Sequence, residues 1–189
     1  MNLKATLLAL LAFAIYSTHD VVVKHLGATF SPFQIVFFSS LFGFPLITLM
    51  LVRDPTHGNL RTLHPWWVAL RSLCLVICPT AAFYAFSVLP LAQVYALLFS
   101  TPLLVTVLAI PVLGEKVGIW RMLAVLVGLL GVMIVVRPGA TELNLGHLAA
   151  LVAAGTAALQ SVIVRKIGQD ERRVVLMLYP LLNLALIHL

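Results

Sequence analysis

The chain has 189 residues, of which 62% are hydrophobic and 10% are charged, and its mean hydropathy is +1.10. Because about a quarter of the residues in soluble domains are charged, this composition excludes a water-soluble globule and indicates a protein embedded in a lipid bilayer. The formal charge is +6, but the basic residues lie in short connections between apolar runs, so nucleic acid is not expected as a partner.

Long apolar runs predict seven membrane-spanning helices, so the expected fold is an all-α polytopic membrane bundle. Turn-forming residues separate the runs, among them Asp54-Pro55, Pro90 and Pro138-Gly139. The last run reaches Leu189 with no flanking charge, as if the architecture were truncated at about seven helices. The expected bounds are 6–25, 33–52, 66–88, 91–111, 118–136, 145–164 and 174–189.

The first span carries a polar stripe. Tyr16, His19 and Asp20 share one helix face, and Lys24 lies four residues beyond Asp20, where it can pair with that carboxyl. An ionisable residue within a span is a functional candidate, so the stripe is expected to line a substrate cavity, with His19 or Asp20 exchanging protons. The alternative is a purely structural ion pair between Asp20 and Lys24.

Prolines are expected to break two of the predicted helices. A proline within a helix removes one backbone donor and leaves a carbonyl free for a ligand or a neighbouring hydroxyl. In the fourth span Ser100, Thr101 and Pro102 lie about halfway along, where transporters often bind their substrates. Pro79 in the third span is the second expected break. At both prolines an ordinary kink satisfied by hydroxyl groups is the alternative.

Two glutamines are further candidates for a binding cavity. An unpaired amide in hydrocarbon costs on the order of a kcal/mol or more, so Gln93 and Gln160 are each expected to point into the bundle, toward substrate or another helix. Tyr84 and Tyr95 could form the wall of a vestibule. Membership of the interfacial aromatic belt is the simpler interpretation of both tyrosines.

The sequence has no motif typical of a metal site, a cofactor site or an enzyme. Cys74 and Cys78 lie four residues apart in one apolar run and are best interpreted as small packing residues. The six histidines are scattered over both sides of the expected membrane, and His-Glu-x-x-His, Gly-x-Ser-x-Gly and phosphate-loop motifs are missing. An intramembrane enzyme could use only His19 with Ser17, whose spacing of two residues points the side chains apart.

Loop charges predict the orientation in the membrane. With the N-terminus inside, ten of the twelve Lys and Arg residues lie on the inner side, and only Lys24 and Arg137 lie outside. The positive-inside rule therefore predicts a multi-pass protein of a bacterial inner membrane with a cytoplasmic N-terminus. Trp66, Trp67 and Trp120 fall at inner boundaries, as expected for an aromatic belt.

A short internal repeat is visible. The segment 21–27 (VVVKHLG) is similar to the segment 162–168 (VIVRKIG), which begins 141 residues later in the chain. Five spans precede the second copy, and because five is odd that copy must enter the membrane from the opposite face. We therefore expect residues 1–140 to form one five-helix repeat and residues 141–189 to begin an inverted second one.

Several motifs follow one another in an order and spacing that resembles the EamA-type drug/metabolite transporter superfamily. The resemblance implies ten helices in two inverted repeats of five, so this chain would lack the last three. Many relatives carry an arginine in the second helix where Ser39 or Ser40 stands here, which weakens an inference to a charged substrate. The motifs are Arg71, 83–92 (FYAFSVLPLA), 99–102 (FSTP), 113–116 (LGEK) and 128–139; the segments 17–24 and 34–38 resemble the S-adenosylmethionine uptake branch.

The spans and the resemblance together predict a permease that moves a small polar metabolite by alternating access, with its site near the midplane between the repeats. The expected partners are the lipid bilayer, the metabolite and, in a homodimer, a second copy of the chain. A non-transporting truncated membrane protein is the alternative, because three absent helices would remove part of the second cavity wall. An intramembrane enzyme ranks behind both.

Overall fold

The computed structural model describes residues 3–53, 61–137 and 144–187. All regular secondary structure in these ranges is helical, which confirms the all-α polytopic bundle. The predicted turns at Asp54-Pro55 and Pro138-Gly139 lie outside the described residues, as does Leu189. The helices are α1 (Leu3–Leu26), α2 (Pro32–Arg53), α3 (Pro65–Val88), α4 (Leu91–Leu98), α5 (Thr101–Leu113), α6 (Ile119–Val136), α7 (Leu145–Ile167) and α8 (Arg173–Ile187).

Six of the predicted spans are long and apolar enough to cross a membrane. They are α1, α2, α3, α6, α7 and the combined segment Leu91–Leu113, which contains α4 and α5. The seventh predicted span is seen as α8, whose apolar part Val174–Leu184 is shorter than the roughly 20 residues of a full crossing. Large apolar side chains are exposed along α1 and α6, as expected for surfaces that face lipid.

The core of the bundle is the interface between α3 and α7, the most extensively packed pair of helices. Ala85 on α3 and Ala150 and Ala153 on α7 are fully buried, so the two backbones approach closely. Close approach of small residues drives helix association where lipid is as apolar as leucine. Cys74 is buried and Cys78 Sγ lies 3.5 Å from the Ala153 carbonyl oxygen, in keeping with their interpretation as packing residues.

The two expected helix breaks have different outcomes. α3 continues through Pro79, so the break predicted there is wrong. The proline removes only its own N–H, and packing against α7 and α8 holds α3 in place on both sides of it. The fourth span is interrupted at residues 99–100, and Pro102 lies in the first turn of α5. A helix tolerates proline there because N–H groups of the first turn have no partner within the helix.

Contacts at the helix ends show the relative directions of the helices. Lys24 at the end of α1 donates to the carbonyl of Leu89 at the end of α3. A Cβ added to Gly146 at the start of α7 would lie 2.9 Å from Leu89 Cγ. At the other end of the bundle Lys166, near the end of α7, lies 4.4 Å from the ring centroid of Trp67 at the start of α3. α1 and α7 therefore run in opposite directions, and we call the two ends of the bundle the Leu89 end and the Trp67 end.

Candidate functional site

A carboxyl group joins α1 to α4 in the half of the bundle nearer the Leu89 end. The hydroxyl of Tyr95 donates to Asp20 Oδ2 at 2.8 Å, and His19 Nδ1 lies 3.2 Å from Asp20 Oδ1. The Asp20 side chain is 19% exposed and that of His19 is 45% exposed. The sequence places these residues together because Tyr95 lies one helical turn after Leu91, where α4 begins beside the end of α1. Asp20, His19 and Tyr95 are called the Asp20 cluster below.

Lys24 is not part of this cluster. Its ammonium group donates to the carbonyls of Phe86 at 2.9 Å and Leu89 at 2.7 Å. Carbonyls of the last helical turn have no partner within the helix, and a cation complements the partial negative charge at that end. The alternative of a purely structural ion pair between Asp20 and Lys24 is therefore wrong, because the end of α3 provides Lys24 with acceptors and Tyr95 provides Asp20 with a donor.

Aromatic rings surround the Asp20 cluster. The ring of Tyr95 meets Phe86 edge-on and stacks on Phe99, with centroids 5.9 Å apart in both pairs. The imidazole of His19 lies 5.9 Å from the ring of Phe83. The aromatic-belt interpretation of Tyr95 stays a prediction, but its hydroxyl also bonds to α1 inside the bundle. A signal existed in the sequence, since a carboxyl within a span needs a partner and Tyr95 was predicted near the same face of the membrane.

The other predicted site residues lie apart from the cluster in the described part of the chain. Tyr16 is 68% exposed on α1. Ser100 is buried, and its hydroxyl donates to the Leu97 carbonyl at 2.6 Å, while Thr101 beside it is half-buried. Gln93 and Gln160 are half-buried, and no hydrogen bond joins either amide to residues 3–53, 61–137 or 144–187.

The Trp67 end is held by a second set of polar contacts, between the α7–α8 region and the first part of the chain. Arg165 pairs with Glu115 at 2.6 Å, and Lys166 donates to the Val112 carbonyl at 2.8 Å. The carboxylate of Glu171 is buried and accepts from the backbone N–H of His64 at 2.7 Å, at the N-terminus of α3. A carboxylate at that position complements the helix dipole. Gly114 ends α5 as a C-cap in the left-handed conformation, φ 69°.

No group of three or more metal-binding side chains occurs among the residues that the structure describes. The arrangement can do other chemistry. A carboxyl that is held by a neutral hydroxyl, next to an imidazole and within an aromatic wall, can bind a cation or change its protonation state.

Curated proteins similar to this chain are named as transporters. The S-adenosylmethionine uptake transporter of Rickettsia bellii is 29% identical over 178 residues, which are 94% of this chain and 61% of that protein. The S-adenosylmethionine uptake transporter of Rickettsia conorii is 28% identical, with coverages of 95% and 61%. The riboflavin transporter of Vibrio cholerae is 34% identical over 66% of this chain and 42% of its own length.

The chain thus spans about three fifths of the length of the first two relatives. No solved structure is significantly similar to it. The model of the EamA-like transporter family matches residues 3–137, from α1 to the end of α6, and confirms the resemblance inferred from the motifs. The chain is a multi-pass membrane protein that belongs to the EamA-like transporter family.

Proposed function

We propose that the chain is a permease that moves a small polar metabolite across the membrane by alternating access. Its family and the names of its relatives support a transport function. The observation that carries the proposal to particular residues is the hydrogen bond between Asp20 and Tyr95, because it places an intramembrane carboxyl against a neutral partner. Intramembrane ionisable groups commonly mark substrate or ion pathways.

The Asp20 carboxyl is suited to exchange partners during a transport cycle. Its two oxygens contact a hydroxyl and an imidazole, and the nearby ammonium of Lys24 is occupied by the end of α3. A carboxylate without a fixed cation can receive a proton or a cationic group from a substrate, and a hydroxyl can rotate to follow it. His19 is the proposed proton partner, and Tyr95 orients Asp20.

The remaining candidates lie apart from this cluster and would line other parts of the substrate route. Gln93 would provide an unpaired amide on α4 and Gln160 one on α7, while Ser100 and Thr101 lie at the interruption between α4 and α5. Tyr16 would join the site only where another membrane helix covers its face of α1, as a second copy of the chain would do in a homodimer.

The proposed substrate is S-adenosylmethionine or a related metabolite with a flat heteroaromatic ring and a positive charge. Relatives that cover most of this chain are named for S-adenosylmethionine uptake. The stacked rings of Tyr95 and Phe99 would accept a flat ring, and the Asp20 carboxylate would attract a cation.

The same proposal includes an inverted repeat, with residues 1–140 and 141–189 as its two parts. The opposite directions of α1 and α7 support this division. The excess of basic residues at the Trp67 end supports an orientation with that end, and the N-terminus, on the cytoplasmic side of an inner membrane.

Proteoliposomes containing the full chain test the function. We expect uptake or efflux of radiolabelled S-adenosylmethionine. We expect Asp20→Asn to lower the rate about tenfold or more, the effect typical of a lost charged contact, and Gln160→Leu to lower it by a smaller factor, because its amide is neutral. Ser161→Ala is the matched control, because Ser161 occupies the repeat position of Asp20 and its hydroxyl bonds within its own helix.

Two results would overturn the proposal. One is a folded protein that is inert toward S-adenosylmethionine, riboflavin and a wide panel of other metabolites. The other is transport that Asp20→Asn leaves unchanged. Sizing and cross-linking in mild detergent decide what an inert chain means, because an inert monomer favours the non-transporting alternative and an active dimer supports a permease assembled from two copies.

A further inference from the structure

A second polar site lies between α2, α3 and α8, away from the Asp20 cluster. An open cavity of about 310 Å³ lies there, and Arg71 is the one charged residue among those that line it in the described part of the chain. Leu75 and Pro79 follow Arg71 on successive turns of α3, and Leu176 and Pro180 face them from successive turns of α8. Apart from Arg71 the lining side chains are apolar.

Two prolines add backbone polarity to this apolar wall, because each leaves one carbonyl without a hydrogen-bond donor in its own helix. Pro180 has no N–H, so the carbonyl of Leu176 lacks the donor that an ordinary helix would supply four residues later. Arg71 Nη1 donates to that carbonyl. Pro79 leaves the carbonyl of Leu75 without its helical donor in the same way.

The contact with Leu176 uses only one of the three nitrogens of the guanidinium. Arg71 Nε is buried without a hydrogen-bond partner among the described residues, and no described carboxylate pairs with Arg71. Nε is packed away from any ligand, whereas Nη2 has no hydrogen-bond partner among the described residues and is the nitrogen that a ligand can reach. A guanidinium without an anion in a lipid-embedded bundle is unfavourable, so Nη2 is suited to an anionic ligand such as a carboxylate.

We propose that this cavity binds the amino-acid end of the metabolite, with Arg71 Nη2 donating to its carboxylate and the Leu75 carbonyl accepting from its ammonium group. The inference rests on the proposed function, since it makes the cavity a second station on the route of the transported metabolite. Residues 71 and 86 of α3 are separated by about 22 Å at 1.5 Å per residue, so this station does not overlap the Asp20 cluster. The apolar lining favours an apolar side chain on the ligand.

A matched pair of small ligands tests the site without transport. L-Methionine and L-methioninamide share the ammonium and the side chain, and only the first has a carboxylate. We expect L-methionine to raise the melting temperature of the full chain in detergent more than L-methioninamide does. Arg71→Gln is expected to lower the affinity for L-methionine about tenfold or more and to abolish the preference over the amide.

Two further variants separate ligand binding from a structural role of Arg71. Arg121→Gln removes the same charge from an exposed position on α6 and is expected to keep the preference. Pro180→Ala gives Leu176 a donor within its own helix and releases Arg71 Nη1, so the affinity for L-methionine is expected to stay the same or to rise.

The proposal is overturned if the wild-type chain binds acid and amide equally. It is also overturned if Arg71→Gln lowers the melting temperature of the ligand-free protein but keeps the preference for the acid, because Arg71 would then only join α3 to α8. Failure of the transport proposal is distinguishable, since a chain that prefers the acid and transports nothing keeps this site and loses only the permease function.

Discussion

The ends of α1 and α7 have similar sequences and similar backbones but opposite surroundings. In both, the glycine that follows the helix donates to the carbonyl four residues earlier, from Gly27 to Val23 and from Gly168 to Val164, at 2.8 Å. In both, a cation near the helix end contacts the end of another helix. Yet α1 is largely exposed, whereas α7 is packed into the core.

The side chains one turn earlier show what this difference means. α1 carries His19 and Asp20, and the corresponding positions of α7 carry Gln160 and Ser161. Ser161 donates to the Ala157 carbonyl of its own helix, whereas Asp20 reaches across to Tyr95 on α4. The α7 segment is a packing helix, whereas the α1 segment carries the carboxyl and the imidazole. Four comparisons between variants test this division of roles.

The largest effect on stability is expected from a bulky residue in α7, the helix that packs into the core. Ala153 is fully buried against α3, so Ala153→Leu is expected to destabilise the fold by about 3 kcal/mol, at the upper end for overpacking. Ala12 occupies the matching position of α1 and is exposed, so Ala12→Leu is expected to be neutral. Thermal unfolding in detergent measures both, and equal melting temperatures for the two variants would contradict the comparison.

The next effect concerns the two cations at the helix ends. Lys24→Ala leaves the carbonyls of Phe86 and Leu89 without their donor in a part-buried position, and we expect a loss of about 2 kcal/mol of stability. Lys166→Ala removes a more exposed contact with Val112 and should cost less than half as much. Lys24→Arg should restore most of the stability. An effect of Lys166→Ala as large as that of Lys24→Ala would show that burial does not distinguish the two ends.

These contacts also show which features could be predicted from the sequence and which could not. The spans were predictable because the thickness of a bilayer fixes the length of an apolar helix, and the cap at Gly114 was predictable because it is local. The acceptors of Lys24 were not predictable, since Asp20 is its neighbour along the helix while the carbonyls of Phe86 and Leu89 come close only in the folded bundle. The rule that side chains four residues apart on a helix can pair does not say whether a contact with another helix is more favourable.

The same limit applies to the candidate site. His19 and Asp20 were identified from a general rule about charges in spans, and Tyr95 was missed because tyrosines at membrane boundaries are common. Arg71 was identified as an inner-side charge and a family motif but not as a site residue, because its contact with Leu176 depends on a carbonyl freed by Pro180 on a helix about a hundred residues away.

A smaller effect is expected when only the hydroxyl of the Asp20 cluster is removed. Tyr95→Phe keeps the stacked ring but leaves Asp20 Oδ2 without its donor, so we expect a loss of about 1 kcal/mol of stability together with slower transport. Tyr84→Phe is the control, because Tyr84 is exposed on α3 and contributes only its backbone carbonyl to a described hydrogen bond. Melting temperatures and uptake rates that are the same for both variants would remove Tyr95 from the site.

The smallest effect is expected at Arg165, which occupies the repeat position of Lys24. Its side chain is 51% exposed and that of Glu115 is 39% exposed, so water and salt screen their ion pair despite the short distance of 2.6 Å. A double-mutant cycle with Arg165→Gln and Glu115→Gln should give a coupling energy of about 0.5 kcal/mol or less, falling further at high salt. A coupling above about 1 kcal/mol would mean that the pair is desolvated in the membrane protein, as exposed pairs rarely reach that value. The Trp67 end would then be held as firmly as the Leu89 end, and the contrast between the two copies would rest on Asp20 alone.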